Sequence, residues 1–177
     1  MRSQPGIADS PNEIIDKAIG GVLFIDEAYS LSQGGANDFG KVAISTLIKR
    51  MEDDRGRFAV ILAGYTEDMA AFMDANPGLK SRFPRVINFP DYSVDELVQI
   101  FLVMANGQGY KLSKEGEIAL ARRIEEDVRV KDKKFGNGRY VRNLFERAIQ
   151  HQADRLESIS DPSGEELITL TEKDLVS

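Results

Sequence analysis

Cysteine is absent from the 177 residues, and histidine occurs once, at His151. Disulfides and thiolate metal sites are therefore excluded, and one histidine cannot build a histidine-rich site. Long apolar runs are missing as well. The run Val22 to Ile25 stops at Asp26, and no other approaches the ~20 residues needed to span a bilayer. Met1 to Pro11 has no hydrophobic stretch of the signal-peptide kind. Positive charge is in deficit: 23 Lys and Arg against 29 Asp and Glu give a formal charge of −6. A nucleic-acid surface normally shows a basic face, so nucleic acid is not an expected partner. The densest basic stretch, Arg129 to Lys134, is short and interrupted by Val130 and Asp132, and reads as a solvated loop. Together these absences fit a cytoplasmic protein with no membrane partner.

Hydrophobic residues make up 42% of the chain and charged residues 29%, enough apolar material for a packed core. Ser10-Pro11-Asn12-Glu13 has a capping serine, a first-turn proline and a glutamate three residues on, and so predicts a helix start. That helix should stop at Gly20-Gly21. Val22 to Ile25 follows as a strand, and its unbroken apolar character suits burial on both faces of a parallel sheet. Asp38 to Asp53 predicts a second helix, with Phe39, Val42, Ala43, Leu47, Ile48 and Met51 at three- and four-residue spacing. Phe58 to Ala63 is a second strand. Thr66 is expected to cap a short helix that ends at Asn76-Pro77-Gly78, and Val86 to Phe89 reads as a third strand.

After Tyr92 the pattern changes. Ser93-Val94-Asp95-Glu96 is a capping box, Ser113 opens another helix, and a third begins near Gly138 with Val141, Leu144, Phe145, Ala148, Gln152 and Leu156 on one face. His151 on that helix reads as a surface residue. Asp161 to Gly164 is a turn, and Leu167 to Leu175 a short extended piece followed by a capped turn. The expected class is α/β. A mostly parallel sheet layer occupies residues 1–91, and a small helical bundle occupies residues 92–177.

Asp26-Glu27 places two carboxylates where a parallel strand ends, the edge at which open α/β sheets bind ligands. In nucleotide hydrolases the first such acid holds Mg²⁺ beside the phosphates and the second polarises the attacking water. A strand that simply meets solvent through two acids would look the same in these six residues alone.

The wider context is more specific. Gly20 to Leu31 (GGVLFIDEAYSL) resembles the Walker B segment of AAA+ ATPases, and within them the CbbX/CfxQ branch, which includes red-type Rubisco activases and stage V sporulation protein K. Further likenesses follow in order: Asp38-Phe39-Gly40 and Met51-Glu52-Asp53 at the ends of the next helix, and Val60 to Tyr65 at the sensor-one strand. Asn76 to Phe83 resembles the arginine-finger segment, Phe89 to Tyr92 the exit into the lid, and Gly136 to Asn143 the sensor-two helix start. The likeness covers residues 12 to 157.

The resemblance implies a P-loop NTPase fold, ATP and Mg²⁺ as cofactors, and assembly with itself or related AAA+ subunits in a ring, expected as a hexamer, acting on a protein client. It implies Asp26 as the metal-positioning acid and Glu27 as the general base. Arg82 is the expected arginine finger, with Arg85 as the alternative three residues on. A guanidinium suits that task because it stays charged and forks onto phosphate oxygens. Gly138 and Arg139 are implied as the nucleotide-contacting start of the lid helix, with Arg142 as the alternative arginine. Tyr65 and Thr66 remain open as sensor one, and Tyr29 reads as structural.

One expected element is missing from these residues. No G-x-x-x-x-G-K-[ST] motif occurs, and the lysine nearest before the Val22 strand, Lys17, lies inside a helix. Nor does Met1 to Asp9 resemble the branch's aromatic pore loop. The chain is accordingly expected to be a fragment of an ATPase, since the hydrolysis residues remain; the alternative is a non-catalytic module that assembles with complete subunits. Open sheet edges and bare apolar faces would make the isolated chain poorly soluble or marginally stable.

Overall fold

The computed structural model describes residues 10–33, 39–130 and 135–175. The chain divides into two compact units between Asn88 and Phe89. Asp38 and the stretch Lys131 to Lys134, both invoked above, lie outside the described residues, as do Met1 to Asp9.

In the first unit, helix α1 (Pro11–Ala18) starts at the expected capping box: the Ser10 hydroxyl accepts from the Glu13 amide, and the Ser10 amide donates back to the Glu13 carboxylate at 2.7 Å. Strand β1 (Val22–Ile25) follows, then a 3-10 helix (Ala28–Ser32), helix α2 (Phe39–Asp53), strand β2 (Ala59–Leu62), helix α3 (Thr66–Ala75) and the short helix α4 (Pro77–Lys80). The two strands pair in parallel, Val22 opposite Ala59 through Ile25 opposite Leu62. Ile15, Ala28, Ile44, Leu47, Phe72 and Leu79 form the core against one sheet face. Arg50 ties α1 to the end of α2, bonding Asp54 at 2.6 Å and Asp16 at 2.7 Å.

Several expectations for this unit need correction. The strands are not covered on both faces: Val22 and Phe24 are 58% and 59% exposed, and Ile61 lies exposed on the same side. The buried stripe of α2 runs through Ile44 and Leu47, whereas Phe39 is 85% exposed and Val42 is exposed too. Helical spacing fits either stripe, and the packing selects the one nearer the helix middle. Thr66 is the first helical residue and not the cap. Tyr65 holds the cap position with no side-chain bond, while the Thr66 hydroxyl reaches Asn88 at 3.5 Å. Val86 to Phe89 forms no strand, and Val86 is 90% exposed. A strand exists through its ladder, and no described strand pairs with this segment.

The second unit is helical. Helix α5 (Val94–Gly107) begins at the predicted capping box of Ser93 and Glu96. It is followed by strand β3 (Lys111–Leu112), helix α6 (Lys114–Arg129), helix α7 (Gly138–Glu157), helix α8 (Gly164–Ile168), strand β4 (Thr169–Leu170) and helix α9 (Glu172–Leu175). The predicted face of α7 is buried at Val141, Leu144, Phe145, Ala148 and Gln152. Phe145 meets Phe101 edge-on with centroids 5.4 Å apart. The extended tail finds a partner the sequence did not suggest, since β4 pairs in parallel with β3.

Polar groups close this bundle. Arg155 grips Asp174 with two bonds, at 2.9 and 3.0 Å, and the Thr171 amide and hydroxyl donate to the same carboxylate at 2.7 and 2.9 Å. His151 is half-buried rather than a surface residue, its Nδ1 lying 3.1 Å from the Asp174 carbonyl. Gln152 places its amide nitrogen 3.2 to 3.3 Å from the carbonyls of Glu166, Leu167 and Thr169.

Burial pushes the Asp174 carboxyl up, but Arg155 and Thr171 together outweigh it and hold it below the ordinary value. A carboxyl depressed on folding contributes stability that is present above its unfolded pKa and lost as pH falls through the folded one. The helical unit is therefore expected to lose thermal stability as pH drops below about 4. Asp174→Asn leaves Arg155 without its partner and should cost about 3 kcal/mol at neutral pH while flattening the acid dependence. Thermal melts followed by circular dichroism across pH 3 to 7 check both effects.

Candidate active site at the end of the parallel strands

Parallel pairing brings the C-terminal ends of β1 and β2 side by side, and the chemistry-bearing residues follow directly. Asp26 turns its carboxylate onto the next amide, with Oδ1 accepting from the Glu27 N–H at 2.9 Å. Glu27 then adopts φ 46°, ψ 45°, the left-handed region. For a residue with a Cβ this conformation costs roughly 1–2 kcal/mol. What holds it is the next residue: Ala28 is fully buried, and its amide donates to the Ala63 carbonyl at 3.0 Å. The Ala63 amide in turn donates to the Ile25 carbonyl at 2.9 Å. The turn after β1 is thus stitched to the end of β2, and both carboxylates stand exposed at the sheet edge.

Tyr29, read from sequence as structural, belongs to this constellation. Its ring lies against Gly64: a Cβ built on Gly64 would fall 2.8 Å from the ring and 2.9 Å from the Met69 sulfur. Burial raises the phenol pKa, and the nearby Glu27 and Asp68 carboxylates raise it further, with hydrogen bonding to Glu27 contributing in the same direction. No local sequence signal marks this contact, which joins the ends of two strands.

Arg82 follows α4, with its amide donating to the Leu79 carbonyl at 2.8 Å. Its guanidinium turns back on its own unit, bonding the Gly78 carbonyl at 3.1 Å and the Glu52 carboxylate at 3.2 Å, while its Nε is buried with no protein partner. It borders a cleft of about 560 Å³ that Glu52, Arg55, Phe58 and Ser81 also line. Arg85 is exposed, and no carboxylate among the described residues pairs with it. Arg139 and Arg142 belong to the other unit, both exposed on the first turns of α7. The structure therefore brings Asp26, Glu27, Tyr29 and Gly64 together. Arg82 lies at the cleft, and Gly138-Arg139 lies at a helix start in the second unit.

Residues 6–91 match the model of the ATPase family associated with various cellular activities (AAA), and residues 93–177 match the AAA lid domain. The chain belongs to the AAA family of ATPases. Stage V sporulation protein K of Bacillus subtilis is 46% identical over 172 residues, covering 95% of this chain and 52% of that protein. A CfxQ homolog of Guillardia theta is 40% identical over 172 residues, covering 96% and 58%. The ESX-3 secretion system protein EccA3 of Mycolicibacterium smegmatis is 44% identical over 178 residues, covering 93% and 29%. These relatives agree with the CbbX/CfxQ branch that the motifs resemble. The chain spans about half the length, or less, of the curated relatives it matches. Among the described residues no helix of this AAA chain is long and apolar enough to cross a membrane.

The contact between Tyr29 and Gly64 yields a direct test. Gly64→Ala should displace the Tyr29 ring and destabilise the first unit by about 1–3 kcal/mol. Gly107→Ala, where an added Cβ meets nothing within 4 Å, should be neutral or mildly stabilising. Thermal melts, with the Tyr29 ring resonances followed by NMR, distinguish the two.

Proposed function

We propose that this chain is the hydrolysis-side portion of an ATP-driven remodelling enzyme, working in a cytoplasmic ring of AAA subunits, a hexamer, and acting on a protein client. The observation that carries the reading is the pair of exposed carboxylates at the C-terminal edge of a parallel strand, one folded onto the backbone and the other held out on a left-handed turn. Asp26 keeps Oδ1 on the Glu27 amide and offers its second oxygen, which suits Mg²⁺, an ion commonly held by one or two carboxylates together with phosphates and water. When bound, Mg²⁺ neutralises charge on the phosphate oxygens. Glu27 orients the attacking water and takes its proton. The phosphate-binding loop is not among these 177 residues, so the nucleotide is held together with groups from outside them.

Arg82 acts in trans on a neighbour's nucleotide, with Arg85 as the alternative. To reach out, Arg82 must leave Glu52, whose side chain is 63% exposed. An ion pair open to water on one side is worth only about 0–1 kcal/mol, so release is cheap. The buried, unpartnered Nε supports a resting position rather than a finished structural pair. From the second unit, Arg139 contacts the nucleotide and links its state to the angle of the lid.

A second reading rests on the absent G-x-x-x-x-G-K-[ST] motif: a module that joins complete AAA subunits without binding ATP itself. Co-purification with a P-loop-bearing subunit, in the absence of ATP affinity of its own, would favour it.

In an ATP-hydrolysing assembly, Glu27→Gln should still bind ATP while turnover falls by about 10² or more; unchanged turnover refutes Glu27 as the base. Arg82→Ala should retain nucleotide binding and lose turnover by about 10³, with Arg85→Ala the milder variant. The reverse order of effects would move the finger to Arg85.

A further inference from the structure

Asn137, immediately before the Gly138-Arg139 helix start, has a backbone and a set of partners that the proposed function does not use. Its φ is 44° and ψ −111°, a conformation costing of order 1–3 kcal/mol in any residue but glycine. It holds the N-cap position of α7, its carbonyl accepting from the Val141 amide at 3.1 Å, but its side chain makes no capping bond. Its side chain turns instead to the connector where the second unit begins. Oδ1 accepts from the Tyr92 amide at 3.0 Å, and Nδ2 donates to the Asp91 carboxylate at 2.8 Å and to the Phe135 carbonyl at 3.2 Å. Oδ1 faces a donor and Nδ2 faces two acceptors, so these three bonds fix the carboxamide in one orientation. An aspartate here would set a second carboxylate against Asp91, and glycine would suit the backbone but hold nothing.

The next residue along the connector is fixed too, since the Ser93 amide donates to Glu96 at 2.8 Å. Successive connector amides are thus tied to two helix starts, Tyr92 to the head of α7 and Ser93 to the head of α5. Arg139 is two residues from Asn137, and its own amide donates to the Gly136 carbonyl at 2.8 Å. The head of α7 therefore cannot shift without either carrying Asp91 and Tyr92 along or breaking the Asn137 bonds.

We propose that Asn137 is a positioning residue, a latch that makes the opening residues of the second unit, Asp91 and Tyr92, move with Arg139. The coupling rests on the proposed contact of Arg139 with nucleotide; the latch itself does not. Asn137→Gly is the informative change, because it removes the side chain and relieves the backbone strain together. Tyr140 still anchors α7 through its 2.8 Å bond to Asp127, so the fold is retained.

In hydrogen exchange on the 177-residue chain, Asn137→Gly should speed the Tyr92 amide by about tenfold, while the Ser93 and Phe145 amides keep their protection. Unchanged exchange at Tyr92 overturns the latch. So does a parallel loss at Ser93 and Phe145, which would make Asn137 merely a folding residue. In an ATP-hydrolysing assembly, Asn137→Gly should raise KM for ATP severalfold, and combined with Arg139→Ala it should do no more than Arg139→Ala alone. Additive effects overturn the coupling. An unchanged KM in Arg139→Ala overturns the nucleotide role of Arg139 and the coupling with it, whereas Tyr92 exchange still decides the latch.

Discussion

Four residue pairs in parallel register, Val22 with Ala59 through Ile25 with Leu62, are the constraint on which the first unit depends. Antiparallel strands would put the residues after β1 and those after β2 at opposite ends. Parallel pairing sets Asp26-Glu27 beside Ala63-Gly64, and the single bond from the Ala28 amide to the Ala63 carbonyl converts that proximity into a fixed turn. Packing completes the arrangement: Ala28 is buried without remainder, and the Tyr29 ring takes the space that the missing Gly64 side chain leaves. The carboxylates are exposed, yet their backbone is set by buried neighbours.

The two units solve the same problem differently. The helical unit closes around an apolar core and an ion pair, with Asp174 1% exposed and grasped by Arg155. The first unit packs one face of a two-stranded sheet and leaves Val22, Phe24 and Ile61 bare on the other. The first unit thus keeps three large apolar side chains exposed on its two-stranded sheet.

What the sequence made legible was mostly local. The capping boxes at Ser10 and Ser93 are found as read, because Ser and Glu at that spacing satisfy one another through neighbouring backbone. The buried stripe of α7 was equally plain, because five of its members recur at helical spacing on a long helix. The misses are non-local. The stripe of α2 depends on what it packs against, the strand at Val86 on a partner to pair with, and the β3–β4 pairing on residues more than fifty positions apart. At the site, Asp26 and Glu27 could be named from the end of an apolar run, but the Tyr29–Gly64 contact could not, since it joins the ends of two strands. Arg82 was legible as a candidate from its motif. Its turn toward Glu52 was not, because the two are thirty residues apart.

The left-handed backbone at Glu27 bears on how such a chain ages in a genome. Glycine and asparagine suit that conformation better, so either would gain stability at the turn. A glutamate there keeps a local cost in stability that glycine would relieve, which the proposed role of its carboxylate would account for as a trade of stability against activity. On the proposed role of Glu27, a lineage without that role would gain stability by replacing this residue, while Ala28 and Gly64, which serve packing, would stay constrained.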